Sequence, residues 1–493
     1  MNGTHALVLG LGDSGLAMAR FLAARGAIVH VADTRLNPPH LDALRSELPQ
    51  VRFTGGEFLP SLLEDVQMVA LSPGLSPTES AAAPLVEAAI TGKLDVVGEI
   101  ELFARELTHL KAERNYAPKV IGVTGTNGKT TTTRLVGQMI NATGQRAEVA
   151  GNISPAALDA LQAGLIANDL PDVWVLELSS FQLATTRSLE CDAAAILNIS
   201  EDHLDWHSTM ESYVSAKKRI FSARTIQVLN RDDTLISAMA TRATGAATFG
   251  TGAPTRGNAY GIVLDHGVAW LAWAEDLTAP SRRKKGVEQA PPDLLMHRLM
   301  PVEALAIRGA HNASNALAAI ALARAIGCPL GPMMHALRRY QGEPHRLQLI
   351  ETIDGVEYYD DSKGTNVGAT VAAIEGMSTN GRKLVVILGG DGKGQNFAPL
   401  VKPLMNHARA VVLIGRDAPL IRRAFEGGPT EALLVEAESL ESAVVIAAEH
   451  AVASDAVLLS PACASFDMFR NYVHRGQAFA AAVRELAEAP QPC

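Results

Sequence analysis

An α/β chain of three domains, built mostly on parallel sheets, is predicted by three features of the sequence. Near the amino terminus a short apolar run ends in Gly10-Leu-Gly12-Asp-Ser-Gly15. A β-branched run from Val120 to Thr124 ends in Gly125-Thr-Asn-Gly128-Lys129-Thr130. In the last third, several short apolar runs each end in a polar loop. Each is the strand, loop and helix punctuation of an α/β fold. At 493 residues the chain is too long for one core, so three domains of ordinary size are expected.

The make-up, 47% hydrophobic and 19% charged, is that of a globular enzyme. A net charge of −9 argues against nucleic acid as a partner, so an anionic substrate must be met by locally placed cations. The four cysteines (Cys191, Cys328, Cys463, Cys493) form no CxxC pair, which fits a reducing compartment. The start, MNGTHALVLGLGDSG, reads as a strand rather than a signal peptide, and no stretch approaches 18 uncharged apolar residues. A cytoplasmic protein with no membrane partner is expected.

The first domain is read as residues 1–98. The strand Ala6 to Leu9, the GxGxxG loop, a helix to about Ala24 and a second strand ending in Asp33-Thr34-Arg35 make a Rossmann-like fingerprint. Its ligand is left open between a nicotinamide cofactor and a nucleotide-sugar, with Asp33 accepting from ribose or base. The glycines alternatively serve only helix–strand packing. Val69 to Leu71 leads to Ser72-Pro73-Gly74-Leu75 at the same sheet edge.

The central domain, residues 99–342, opens with the cradle. Its glycines let backbone N–H groups close on phosphate oxygens, Lys129 adds a point charge, and Thr130 is placed for magnesium. This is the tighter GTNGKT form of a P-loop, and ATP is its expected ligand. Gly151-Asn152 is a polar turn. The strand from Val173 carries Glu177, a carboxylate that is expensive to bury unless metal-bound or paired with a core cation. The strand from Ala193 delivers His203, open between metal ligand, substrate contact and loop filler. Ser212 to Phe221 reads as a helix with Lys217 and Lys218 on what is ordinarily a solvated face. Asp276 to Pro292 is a basic loop with no assigned chemistry. His311, Asn312 and Asn315 lie at a helix start, where they either meet a base or cap the helix.

The third domain, residues 343–493, is a second Rossmann-like α/β unit. Val356 to Tyr359 leads to Asp360-Asp361-Ser-Lys363-Gly-Thr365-Asn366, Lys383 to Leu388 to Gly389-Gly-Asp-Gly-Lys393, and Ala456 to Leu459 to Ser460-Pro-Ala-Cys463-Ala-Ser465. Ligands gather at the carboxyl ends of such strands. Lys363 and Lys393 are its local cations. Cys463 has no neighbouring base in the sequence and reads as a structural thiol.

Together TGTNGKT, ELSSFQL, NISEDHLD, SYVSAKKRI, GAHNASN, EPHRLQ, DDSKGTN, GGDGK and SPACASFDMF resemble the ordered motif series of the bacterial Mur ligases over nearly the whole chain. GLGDSG, DTR and DDSKGTN are most similar to the branch that adds D-glutamate. No DNPR-type signature of the diaminopimelate- and lysine-adding branch is present, and the folylpolyglutamate synthases lack a comparable first domain.

The resemblance implies a three-domain ligase: a UDP-binding first domain, a central P-loop ATPase and an amino-acid-binding third domain. It implies ATP-dependent joining of D-glutamate to UDP-N-acetylmuramoyl-L-alanine in peptidoglycan precursor synthesis, through an acyl phosphate and a tetrahedral intermediate. Lys129, His203 and Lys217 would be catalytic. Gly125, Thr126, Asn127, Gly128, Lys129, Thr130 and Thr131, with Asn315, Arg346 and Asp361, would hold ATP. Gly12, Asp13, Ser14, Asp33, Thr34, Arg35, Ser72, Gly74 and Asn152 would hold the UDP-precursor. Lys363, Thr365, Lys393, Ser465, Phe466 and Tyr472 would hold D-glutamate; the family commonly has leucine and phenylalanine at the last two, and both changes keep an apolar wall.

Two Mg2+ ions are implied, one on Thr130 and Glu177 and a second on His203, with Lys217 as a carbamate bridging to the second. A monomer with domain closure is expected by the same analogy. The other readings kept open are a sister Mur ligase adding another amino acid, a nicotinamide-dependent oxidoreductase with a regulatory ATP site, and a non-catalytic sensor of UDP-precursors.

Overall fold

The computed structural model describes residues 1–239, 246–278, 293–378, 381–425 and 434–488. The chain divides into two compact units, residues 1–302 with 314–338, and residues 303–313 with 339–493. Most of the basic loop read at Asp276 to Pro292 lies outside the described residues.

The first unit holds two sheets. In one, β1 (His5–Leu9), β2 (Ile28–Asp33), β3 (Arg52–Gly55), β4 (Met68–Leu71) and β5 (Asp95–Val97) run parallel in the order β3-β2-β1-β4-β5. β1 and β4 are near-continuous apolar runs, as strands covered on both faces must be. The order reverses between β1 and β4, so the crevice for a ligand opens beyond their carboxyl ends. Gly15 closes the helix after β1 against the sheet: a Cβ there would stand 1.9 Å from the Gly10 carbonyl oxygen.

The second sheet comprises β6 (Lys119–Thr124), β7 (Ala147–Gly151), β8 (Val173–Glu177), β9 (Ala193–Ile196), β10 (Ile226–Asn230), β11 (Ala247–Phe249), β12 (Ala259–Asp265), β13 (Val268–Asp276) and β14 (Leu294–Pro301), in the order β14-β13-β12-β11-β10-β9-β6-β8-β7. From β7 to β12 the pairing is parallel, and β13 and β14 extend the sheet antiparallel. His266 and Gly267, at φ +49° and +80°, make the two-residue loop that joins β12 to β13. β6 lies between β8 and β9, so all three strand ends meet at the cradle. One apolar cluster joins the two sheets' helical layers, running from Leu16, Phe21 and Leu22 to Phe103, Leu158 and Leu161.

In the second unit β15 (Gln348–Ile353), β16 (Val356–Asp360), β17 (Leu384–Gly389), β18 (Ala408–Ile414), β19 (Leu434–Glu436) and β20 (Ala456–Leu459) are ordered β15-β16-β20-β17-β18-β19, with only β15 antiparallel. The last strand in sequence is inserted between β16 and β17. That insertion makes neighbours of the three polar loops that follow them.

Candidate active site

The cradle is shaped by two glycines that no other residue replaces. Gly125 has φ +155°, and Gly128 has φ +82° with an added Cβ only 2.4 Å from Asn315 Oδ1. Asn315 lies in the second turn of the helix Ala310–Ala325, so it is seated against the loop and is not the cap of its own helix. Asn198, which sequence reasoning passed over, clamps the loop: its Oδ1 accepts from Asn127 N at 2.7 Å and its Nδ2 donates to Asn127 O at 3.0 Å. Thr126 N donates to Asn198 O. The N–H groups of Thr126 and Asn127 are therefore spent on protein, unlike those of the first turn of the helix Lys129–Ala142, which a helix does not satisfy itself. Lys129 Nζ donates to the carbonyls of Gly125 at 2.9 Å and Thr126 at 2.8 Å.

Lys217 lies beneath this loop. The helix carrying it spans Met210–Lys218, starting two residues earlier than the sequence suggested because the Thr209 side chain caps it by accepting from Ser212 N. Lys217 is 1% exposed while Lys218 is exposed, so the solvated-face reading fails for the first and holds for the second. Its Nζ donates to Gly125 O at 2.9 Å and stands 4.6 Å from the Tyr213 ring centroid. Burial, and then the Lys129 charge, hold its ammonium well below the ordinary lysine range. The cradle carbonyl of Gly125 thus receives both lysines.

Glu177 ends β8 directly beside the cradle strand, opposite Val123, and is 3% exposed. No cation pairs with it among the described residues. Oε1 accepts from Asn152 Nδ2 at 3.0 Å, and Oε2 is buried without a hydrogen-bond partner. Gly151 makes this approach possible, since a Cβ there would lie 2.4 Å from Glu177 O. The orphaned oxygen of Glu177, at the end of the strand next to the cradle strand, and the buried Thr130, in the first turn of the helix that follows the cradle, offer the kind of oxygen donors that suit Mg2+.

His203 sits at φ +57° before the short helix Leu204–His207, its ring edge-on to Phe181 at 4.7 Å and its Nε2 3.5 Å from Asp202. His207, not anticipated, is buried among Phe181, Trp206 and Tyr213 with Nε2 unpartnered, and burial followed by the Lys217 charge pushes it down to about 4.

At the crevice of the first sheet, Gly12, Asp13, Ser14, Asp33, Thr34, Arg35, Ser72 and Gly74 line one cavity of about 450 Å³. The two glycine readings divide between positions: Gly15 serves packing, while Gly12 has open space beside it. Asp33 spends its carboxylate on protein, accepting from Leu11 N at 2.7 Å and from Arg35 Nε and Nη2 at 2.8 and 2.7 Å. Burial alone would raise this carboxyl, yet those donors bring it below its ordinary value. An adjoining cavity of about 360 Å³ brings Asp13 and Ser14 together with Asn152, in the turn after β7, and Gln182, in the short helix Ser180–Ala184 after β8. Ser14 Oγ donates to Glu99 at 2.6 Å, a buried carboxyl that the sequence did not single out.

In the second unit, Ser465 is 3% exposed and Phe466 68% exposed. Thr365 is half-buried, and Lys363 Nζ stands 5.4 Å from the Tyr472 ring centroid. Lys393 is exposed, at φ +49°, after the Gly389-Gly390 turn. Asp361 is buried, accepts from Ser460 Oγ at 2.7 Å, and is pushed up to about 7 by burial, with the Arg346 charge opposing. His311 is half-buried, with its Nδ1 buried and its ring against Gly309 and Gly376, and desolvation followed by the Arg346 charge pushes it down to about 4. Cys463 is a buried thiol pushed up to about 12, the structural role expected of it.

Among known proteins, residues 4–98 match the Mur ligase MurD-like N-terminal domain, 123–323 the Mur ligase middle domain and 345–463 the Mur ligase glutamate ligase domain. A UDP-N-acetylmuramoylalanine–D-glutamate ligase of Ralstonia nicotianae is 57% identical over 487 residues, covering 98% of this chain and 97% of its own. Another from Burkholderia vietnamiensis is 55% identical over 493 residues with the same coverage. The solved UDP-N-acetylmuramate-alanine ligase MurC from Thermotoga maritima shares the fold, with a TM-score of 0.56 at 18% identity over 98% of this chain and 99% of that one.

Proposed function

Because the chain belongs to the Mur ligase family, we propose that its strand-end groups perform ATP-dependent joining of D-glutamate to UDP-N-acetylmuramoyl-L-alanine, a step of peptidoglycan precursor synthesis. The observation that carries the reading is the cradle itself, with Lys129 on its rim, Lys217 buried beneath it and the orphaned Glu177 oxygen at its side. The chemical obstacle is electrostatic, since a carboxylate must approach an anionic triphosphate. Lys129 and the first-turn N–H groups offset charge on the phosphates as the alanyl carboxylate attacks the γ-phosphorus and ADP leaves. The D-glutamate amine then attacks the acyl carbon, and the tetrahedral intermediate expels phosphate.

Thr130 and Glu177 would hold Mg2+, which supplies Lewis-acid screening of the phosphates when bound, and His203 would hold a second ion. Burial makes the Lys217 ammonium give up its proton more readily than an ordinary lysine, and the amine so freed would add CO2, forming a carbamate and releasing a proton. Lys217→Ala should abolish turnover, with part of it restored by a short carboxylic acid in solution; a variant with parental rates would remove the carbamate.

The nucleotide of the precursor is assigned to the cavity of Asp33, Thr34, Arg35, Ser72 and Gly74, with Gly12, Asp13 and Ser14 at the diphosphate and Asn152 at the muramoyl end. By the family resemblance Asn315, Arg346 and Asp361 are assigned to ATP, and Lys363, Thr365, Lys393, Ser465, Phe466 and Tyr472 to D-glutamate. The working division is residues 1–98, 99–342 and 343–493, in a cytoplasmic monomer. Among the described residues no helix is long and apolar enough to cross a membrane.

The test is phosphate release from ATP with UDP-N-acetylmuramoyl-L-alanine, comparing D-glutamate with L-glutamate, L-alanine, L-lysine and meso-diaminopimelate. Release should require both the precursor and D-glutamate. Release with another amino acid instead would reassign the branch, and none with any would overturn the reaction.

A further inference from the structure

Arg475 is a buried guanidinium that the reaction as described does not use. It lies on the helix Tyr472–Glu488, one turn after the start, and is 1% exposed. No carboxylate of the described residues lies within ion-pair distance of it. Its donors go instead to two of the three loops at the carboxyl ends of β16, β17 and β20. Nε donates to Ser362 Oγ at 3.0 Å and Nη2 to Ser362 O at 2.8 Å, both in the loop after β16. Nη2 also donates to Cys463 O at 3.1 Å, in the loop after β20. The third loop touches it too: a Cβ on Gly390, which has φ +131° after β17, would come within 3.3 Å of Nη1. Nη1 has no hydrogen-bond partner.

A buried guanidinium held by hydrogen bonds and by no close ion pair is costly to bury, and its planar fork fixes the directions of the groups it bonds. The fork makes three bonds in fixed directions, whereas an ammonium would present its donors from a flexible stem. The hydroxyl it grips passes the constraint on, because Ser362 Oγ donates to Tyr472 O at 2.8 Å. The loop after β20 is further tied to the loop after β17 by paired Asp391 and Ala464 backbone bonds. Lys363, Thr365, Ser465 and Tyr472 each lie within three residues of a group in this network. Burial draws the guanidinium down to about 10, with Cys463, Asp467, Asp360 and Asp361 facing it and opposing that shift, so it is cationic at neutral pH.

We propose that Arg475 is the positioning residue of the amino-acid pocket, setting the spacing of the loops after β16 and β20 so that their side chains meet the two carboxylates of the amino-acid substrate. The proposal rests on the assignment of D-glutamate to these loops.

Arg475→Lys keeps the charge and breaks the fork, and Ser362→Ala removes the hydroxyl link without touching the guanidinium. Each should raise KM for D-glutamate about tenfold, leave KM for ATP and for the UDP-precursor within about twofold, and lower kcat less than KM rises. Ser465→Ala is measured beside them as a direct test of the pocket. If Ser465→Ala raises KM for D-glutamate while neither Arg475→Lys nor Ser362→Ala does, the positioning role is overturned and the pocket stands. An unchanged KM for D-glutamate in all three overturns the pocket assignment. Equal losses for all three substrates in Arg475→Lys and Ser362→Ala would mean general destabilisation, which also overturns the proposal.

Discussion

Seven consecutive residues, Gly125 to Thr131, build the phosphate cradle, whereas the loop cluster of the second unit draws on residues as far apart as Asp360 and Arg475. In the cradle, backbone conformation does the positioning: positive φ at Gly125 and Gly128, a clamp from Asn198, and a helix start. In the loop cluster, side chains do it: Arg475 to Ser362, Ser362 to Tyr472, Ser460 to Asp361. A site made by local backbone should fail abruptly when one residue changes. A site made by linked side chains should lose affinity for one substrate by degrees.

The sharpest break of this contrast is Lys129→Ala, expected to lower ATP-dependent turnover by about 10²–10³ while leaving the fold intact. Steady-state phosphate release beside a thermal unfolding curve measures both; residual activity near the parent would show that backbone donors suffice. Next in size is Gly128→Ala. A non-glycine residue at φ +82° costs about 1–2 kcal/mol, and its Cβ would also collide with Asn315. ATP affinity and stability should both fall, whereas Gly12→Ala, with open space beside it, should leave stability nearly unchanged. Equal unfolding midpoints for the two variants would show that the loop relaxes.

The smallest effect is a pH slope. His207 in the first unit and His311 in the second are each held at about 4, below the ordinary value near 6.5. Between those values the unfolded chain takes up a proton that the folded chain refuses, so stability falls as pH falls, by up to about 1.4 kcal/mol per pH unit for each group. Urea unfolding of the parent, His207→Phe and His311→Phe from pH 7 to 4.5 should show a shallower slope in each variant. Curves parallel to the parent would mean these rings are not neutral.

The same contrast explains what the sequence made legible. The cradle, the GxGxxG crevice and the strand-end loops are local patterns, so the strand ends that carry Lys129, Asn152, Glu177 and Ser465 could be read from residue order alone. Lys217 illustrates the limit. A lysine pair on a helix reads as solvated, and only tertiary packing makes one of them the most deeply buried amine beneath the cradle. Asn198 opens the NISEDHLD motif yet was passed over, as were Arg475 and Glu99, because the contacts that give these three their roles reach residues far away in sequence, as for Asn127 with Asn198, Ser14 with Glu99 and Ser362 with Arg475; His207 was missed because the burial of its ring is set by tertiary packing. The hairpin of β12 and β13 had a turn signal in His266-Gly267, which reading by motif passed over.

The apolar cluster shared by the two sheets of the first unit also bears on modularity. Leu16, Phe21 and Leu22 of the amino-terminal fold pack into the same interior as Phe103, Leu158 and Leu161. Cutting the chain near residue 98 would expose apolar surface on both fragments. A chimera that exchanges only this amino-terminal segment with a distant relative must therefore match the interior of its new host, while recombination at the border between the two compact units leaves that interior whole.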